Sequence, residues 1–195
     1  MQLNSEMNTL SPDKPYKTQC SSFMYNRVTK LCTPGSGLSP LFPPPTSTEG
    51  DLFLGDGCDS NQNFRSFSYG GETTYAAYFN SYQNFTDAET TCQSLGGHLF
   101  VAKTLARFDL FKFIVNSTGW VWIGLNDIQV EGMFVWVDDG QEVDPVVKTN
   151  IFETNQPDNW ENADCAYGSI WNGRFVLDDA PCSGFMTYVC EKRSC

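Results

Sequence analysis

Residues 85–99 read FTDAETTCQSLGGHL. Thr86 followed three residues later by Glu89 is the pattern of a capping box, in which each side chain takes a backbone N–H that the first helical turn leaves unpaired. Ala88, Cys92 and Leu95 then recur on one helical face, and Gly96-Gly97 supplies the stop. The stretch predicts one short helix with a cysteine on its apolar side.

Working outward, TTYAAYFNSYQNF (73–85) is rich in aromatic and β-branched residues and reads as one or two strands. TLARFDLFKFIVNSTG (104–119) keeps Leu105, Phe108, Phe111 and Val115 at helical spacing and predicts a second helix closed by Gly119. Beyond Trp120 the helical period disappears. VWIGL (121–125) and MFVWV (133–137) read as short strands, as do CAYGSIW (165–171), RFVLDD (174–179) and FMTYVCE (185–191). Residues 138–162 are expected to be mostly loop, and a loop of that length in a compact domain is usually functional. On the N-terminal side, CSSFMYNRVTKLC (20–32) alternates Phe23 and Tyr25 with polar residues and predicts a cystine-closed hairpin. TPGSGLSPLFPPPTSTEGD (33–51) has the composition of an extended linker. The organisation expected is a polar segment with a hairpin over 1–32, a linker over 33–51, and one domain over 52–195.

Composition narrows the functional classes. A net charge of −11 over 195 residues argues against nucleic acid and anionic membrane as partners, since both need a basic face, and suits a cation-binding surface. The eight cysteines, at 20, 32, 58, 92, 165, 182, 190 and 195, include no CxxC pair, and His98 is the single histidine, so zinc is not expected. The sequons at Asn84 and Asn116, together with an even cysteine count, point to an oxidising compartment, disulfides and a secreted glycoprotein. The first residues lack the apolar run of a signal peptide, so the chain is expected to be a mature piece or to have a misassigned start. No stretch is long enough to span a bilayer, so membrane insertion is not expected. No His-based triad or nucleophile motif is present, and an enzyme is not expected.

Taken in order, the helix FTDAETTCQSLGGHL, the WIGL at 122–125, the strand FVWV and the cysteine order 92, 165, 182, 190 resemble the C-type lectin-like domain over most of residues 58–195. The implied fold is α+β: two helices, short antiparallel sheets and a long calcium- and ligand-binding loop, stapled by disulfides. The resemblance implies the bonds Cys92–Cys190 and Cys165–Cys182. Cys20–Cys32 is proposed because its separation suits a hairpin, which leaves Cys58–Cys195. The segment at 20–32 separately resembles the closing part of a PAN/apple module.

The same resemblance implies a calcium site. NQPDNWENADC (155–165) carries Gln156 and Asp158 on either side of Pro157, where family members use a cis peptide to aim both side chains the same way. LDDAPC (177–182) makes Asp178 and Asp179 the further ligands, with Leu177 in place of a core tryptophan. Ala163 stands where the family usually has a glutamate. The site is therefore expected to be weak, with the second aspartate of the pair or Glu161 compensating. Asp127 and Glu131, with Asn159 and Asp164, match a second, structural calcium position, or else Asp127 and Glu131 are solvated turn residues. Gln-Pro-Asp implies galactose or N-acetylgalactosamine-type glycans or glycoproteins as partners. Trp160 is either the stacking indole of such a site or a core residue that anchors the loop. The alternative function is a lectin-like fold that recognises a protein or mineral surface without sugar.

Overall fold

The computed structural model describes residues 23–26, 31–34, 52–57, 64–69, 72–115 and 119–194. In chain order the elements are β1 (Phe23–Asn26), β2 (Leu31–Pro34), β3 (Leu52–Gly57), β4 (Arg65–Tyr69), β5 (Glu72–Gln83), α1 (Phe85–Ser94), β6 (His98–Leu99), α2 (Leu105–Val115), β7 (Val121–Asn126), β8 (Val135–Trp136), α3 (Pro145–Ile151), β9 (Cys165–Trp171), β10 (Arg174–Ala180) and β11 (Met186–Lys192). The stretch at 73–85 forms one strand, β5, and then enters α1.

Two local expectations are corrected. The N-cap of α1 is Asn84, not Thr86: Asn84 Oδ1 accepts from Asp87 N at 2.8 Å, and its Nδ2 donates to Asp87 Oδ2 at 2.8 Å. Asparagine caps as well as threonine does. Starting there makes Phe85 helical and drives it into the core, edge-on to Trp122 at 5.6 Å. Glu89, freed from the capping role, accepts from Leu99 N at 2.8 Å and ties α1 to β6. The long loop also contains a third helix, α3. Asp144 accepts from Val146 N and Val147 N, Pro145 takes the first turn, and Val147 and Ile151 face the core.

Strand order in the sheet is β10-β9-β7-β11-β5-β4-β3-β1-β2, with β6 also paired to β11 and β8 to β7. β11 is the hinge of this order. It runs antiparallel to β5 and β6 and parallel to β7, so the α+β class stands, with three helices and one parallel strand pair among the described residues. β1 pairs with both β2 and β3.

Two apolar clusters flank β7 and β11. One gathers Phe100, Phe111, Ile123, Leu125, Phe134, Trp136, Ile151 and Leu177, with Phe100 and Phe111 stacked at 5.4 Å. The other gathers Phe85, Ala88, Cys92, Leu99, Trp122, Tyr188 and Cys190. Trp122 donates its indole N–H to Gln83 O at 2.9 Å, which satisfies its only polar atom. The pair Gly96-Gly97 divides two tasks. Gly96 takes φ +83°, and at Gly97 a Cβ would lie 2.0 Å from the Glu191 carbonyl oxygen, so only glycine lets α1 turn against β11.

Cys92–Cys190 joins α1 to β11 across 98 residues, and Cys165–Cys182 joins β9 to the chain after β10. In the chain-entropy model a loop of the first size is worth about 4.7 kcal/mol. Both pairings are those the resemblance implies. The side chains of Cys20, Cys32, Cys58 and Cys195 lie outside the described residues, as does Asn116.

Glu191 is 3% exposed. Its carboxylate accepts from Thr74 Oγ1 at 2.8 Å and Val101 N at 2.7 Å, and it pairs with the Arg107 guanidinium. Arg107 also lies over the Phe100 ring at 4.6 Å and bonds Val101 O. Removing one member of a buried ion pair leaves the other desolvated, so Glu191→Ala should lower stability by about 3 kcal/mol, with Glu191→Gln costing less. Urea midpoints check this, and an unchanged midpoint for Glu191→Ala contradicts it.

Candidate functional site

The long loop returns to the sheet at one point before it opens. Phe152 bridges to Leu177, and Glu153 N donates to Leu177 O at 2.9 Å, so residues 154–164 start from the side of β10. The Gln156–Pro157 peptide is cis. Asn155, Asn159, Glu161 and Asn162 have φ of +70°, +54°, +60° and +60°. Asparagine is the non-glycine residue that best tolerates this left-handed region, so three of the segment's amides are there for the backbone.

Asp179 clamps the loop. Its Oδ1 accepts from Asp158 N at 3.1 Å and its Oδ2 from Asn159 N at 2.8 Å. Asp158 in turn accepts from Trp160 N at 3.0 Å. Trp160 is 72% exposed, which does not suit the reading of that indole as a core anchor. Asp178 lies opposite Tyr167 in the β9–β10 register and accepts from the Tyr167 hydroxyl at 3.2 Å and from Asp179 N at 2.9 Å. Among the described residues, Gln156 Oε1 is buried without a hydrogen-bond partner. Burial raises the Asp178 carboxyl above its ordinary value, and the Asp179 and Asp158 charges add to this, against the Asp179 N–H and Tyr167 hydroxyl that favour the ionised form. Burial, and then the Asp178 charge, raise the Tyr167 phenol, which stays protonated.

A second acidic group lies after β7. Asp127 is 2% exposed, its Oδ2 accepts from Gly132 N at 2.8 Å, and its Oδ1 is buried without a partner. Asp127 N donates to Asp164 O at 3.0 Å, and the Asp164 side chain accepts from Asn162 Nδ2 at 2.8 Å. Burial raises the Asp127 carboxyl, and the Glu131 and Asp164 charges raise it further.

Two loose groups of oxygen donors result: one on the loop and β10, where Asp179 accepts from the Asp158 and Asn159 N–H groups and the Asp158 and Asp179 charges act on Asp178, and one after β7, where the Glu131 and Asp164 charges act on Asp127. Glu161 is exposed and, among the described residues, makes no hydrogen bond or ion pair. Ala163 is buried, 1% exposed, where the resemblance places a glutamate. Every donor in both groups is a hard oxygen, and each group includes an orphaned one, Gln156 Oε1 or Asp127 Oδ1. That chemistry fits a calcium-like cation. Among the described residues, however, no three His, Cys, Asp or Glu side chains are gathered as a metal-holding group. Tyr167 is the participant that sequence reasoning missed. Its signal lay in the antiparallel alignment of CAYGSIW with RFVLDD, which sets Tyr167 across from Asp178.

Residues 81–192 match the family profile "Lectin C-type domain", and the chain belongs to the C-type lectin family. It is 33% identical over 124 residues to an "Alpha-N-acetylgalactosamine-specific lectin" of Patiria pectinifera, covering 58% of this chain and 71% of that one. It is 31% identical over 124 residues to a "C-type lectin mannose-binding isoform" of Oxyuranus scutellatus, covering 59% and 74%. The carbohydrate-recognition domain of the mouse scavenger receptor C-type lectin superposes with a TM-score of 0.58 at 26% identity, covering 69% of this chain and 96% of that domain. The family is a carbohydrate-binding, non-enzymatic one. Among the described residues no helix is long and apolar enough to cross a membrane.

The raised carboxyls set a pH dependence. An aspartate whose pKa rises on folding favours the native state when protonated, and that contribution is lost as pH rises through the raised value. In chelator, the double variant Asp127→Asn with Asp178→Asn should therefore melt above wild type at pH 7. The two should converge as pH falls toward the ordinary aspartate value of 3.8. Thermal melts across pH check this, and a double variant that melts below wild type at pH 7 contradicts it.

Proposed function

We propose that this chain is a calcium-dependent lectin for glycans ending in galactose or N-acetylgalactosamine. The observation that carries the reading is Gln156 Oε1, buried and unpaired, in a loop where Asp179 holds the backbone of Asp158 and the Trp160 position stands exposed. A buried carbonyl oxygen without a partner costs about 1–3 kcal/mol, and a hard cation offers the missing partner. Gln156, Asp158, Asp178 and Asp179 would hold it, with Glu161 as a weak addition. Asp127, Glu131, Asn159 and Asp164 would hold a second ion. When bound, calcium supplies coordination sites for two vicinal sugar hydroxyls. The Gln156 amide N–H can donate to one hydroxyl oxygen while the Asp158 carboxylate accepts a hydroxyl proton, which fixes the direction of the diol. Trp160 offers an indole to the apolar face of the ring.

The name of the sea-star relative supports N-acetylgalactosamine; that of the snake relative points to mannose instead. The Gln-Pro-Asp order favours the first. We assign the domain to an extracellular setting, as its disulfides suit, with glycans or glycoproteins as partners and Asn84 and Asn116 as glycosylation sites. The buried Ala163 favours a second reading, in which the loop meets a protein or mineral surface without sugar.

The reading is tested by competition of free sugars against an immobilised galactoside, in calcium and in chelator. Binding should vanish in chelator. Gln156→Glu with Asp158→Asn should move the preference toward mannose, and Trp160→Ala should weaken galactose by roughly 1 kcal/mol without changing calcium affinity. Retention that ignores calcium, or a double variant that keeps the wild-type ranking, refutes it.

A further inference from the structure

β7 is a buried strand, with Val121 through Leu125 all enclosed, yet Trp120, the residue just before it, is 60% exposed. Its backbone is fixed, since Trp120 O accepts from Thr187 Oγ1 at 2.9 Å. Its ring stands 5.9 Å from the ring of Tyr167, which Trp122 supports edge-on from below at 6.4 Å. Val121 pairs with Gly168, so Trp120 lies beside Ser169 in register, on the face that Tyr167 shares. Trp171, 58% exposed, continues that face beyond Ser169. A sheet face with successive exposed indoles is not ordinary solvent-facing surface.

The other end of this shelf is the candidate ion site. The Tyr167 hydroxyl donates to Asp178 Oδ2 at 3.2 Å, so carboxylate, phenol and indole follow one another without a gap. We infer that Trp120 and Tyr167 form a second sugar subsite: with the terminal residue of a glycan at Gln156 and Asp158, the next residue lays its apolar face on the Trp120 indole. This rests on the carbohydrate reading above. Continuity with Asp178 selects a sugar over a protein partner, because it sets an aromatic plane beside oxygen acceptors, the pairing that a pyranose, apolar on its face and hydroxylated at its edge, can use.

The experiment compares N-acetylgalactosamine with a disaccharide that ends in it, titrated in calcium into the full chain and into Trp120→Ala and Trp120→Phe. Wild type should bind the disaccharide roughly two- to tenfold more tightly than the monosaccharide, the worth of one aromatic contact. Trp120→Ala should lose that gain and keep the monosaccharide affinity, and Trp120→Phe should retain most of it. A wild type with no gain, a Trp120→Ala that keeps the gain, or a Trp120→Ala that loses both sugars while melting normally each overturns the subsite and leaves the carbohydrate reading standing. Failure of wild type to bind either sugar overturns the reading and the subsite with it. Should capture of a protein alone depend on Trp120, the shelf is a protein surface and the subsite is refuted.

Discussion

Cys190 and Glu191 are consecutive residues of one buried strand, so their side chains leave it in opposite directions, and each ties a different helix to it. The sulfur goes to α1. The carboxylate goes to Arg107 of α2, to the backbone at Val101 and to Thr74 of β5. Both long helices and the longest strand are thus registered on a single dipeptide. β7 lies parallel against the same strand, and β9 and β10 follow from β7, so the position of Asp178 and Asp179 is inherited through the sheet from that point. The loop itself contributes little regular structure and needs such a frame.

Within the site, the carboxylates are held in different ways. Asp179 holds the loop shut with both oxygens, while Asp178 is held by a tyrosine and an N–H and is left close to two like charges. Asp127 repeats the second situation with Glu131 and Asp164. A protein carrying −11 overall has few cations to spare for neutralising such places internally. On the proposed reading a bound divalent ion would relieve the repulsion and satisfy the orphaned oxygens together, which would join the acidic composition and the site chemistry in one account.

Much of this was legible in the sequence because the relevant signals are short-range. Helical spacing in 104–115 and the strand texture of VWIGL are properties of neighbouring residues, and the fold follows them, whereas the cysteine pairing came from the family resemblance. The errors arose where two local signals competed. Asn84 and Thr86 both open a valid cap, and only the burial of Phe85 decides between them. Asp144-Pro145 is a helix start, but seven residues with a modest apolar face carry too little periodicity to show inside a loop. The roles of Tyr167 and of Asp179 as a clamp depend on pairing across strands and on a loop folding back, which no single window contains.

The capping arrangement at Asn84 shows how one amide can serve two chemistries. The contact that starts α1 is made by Oδ1, whereas an N-linked sugar attaches at Nδ2, the atom that here bonds only to the neighbouring Asp87. Substitution of that nitrogen leaves one N–H and the whole oxygen in place. A glycan on that nitrogen would therefore leave in place the oxygen contact that begins the helix, so the sequon and the helix start can share one side chain.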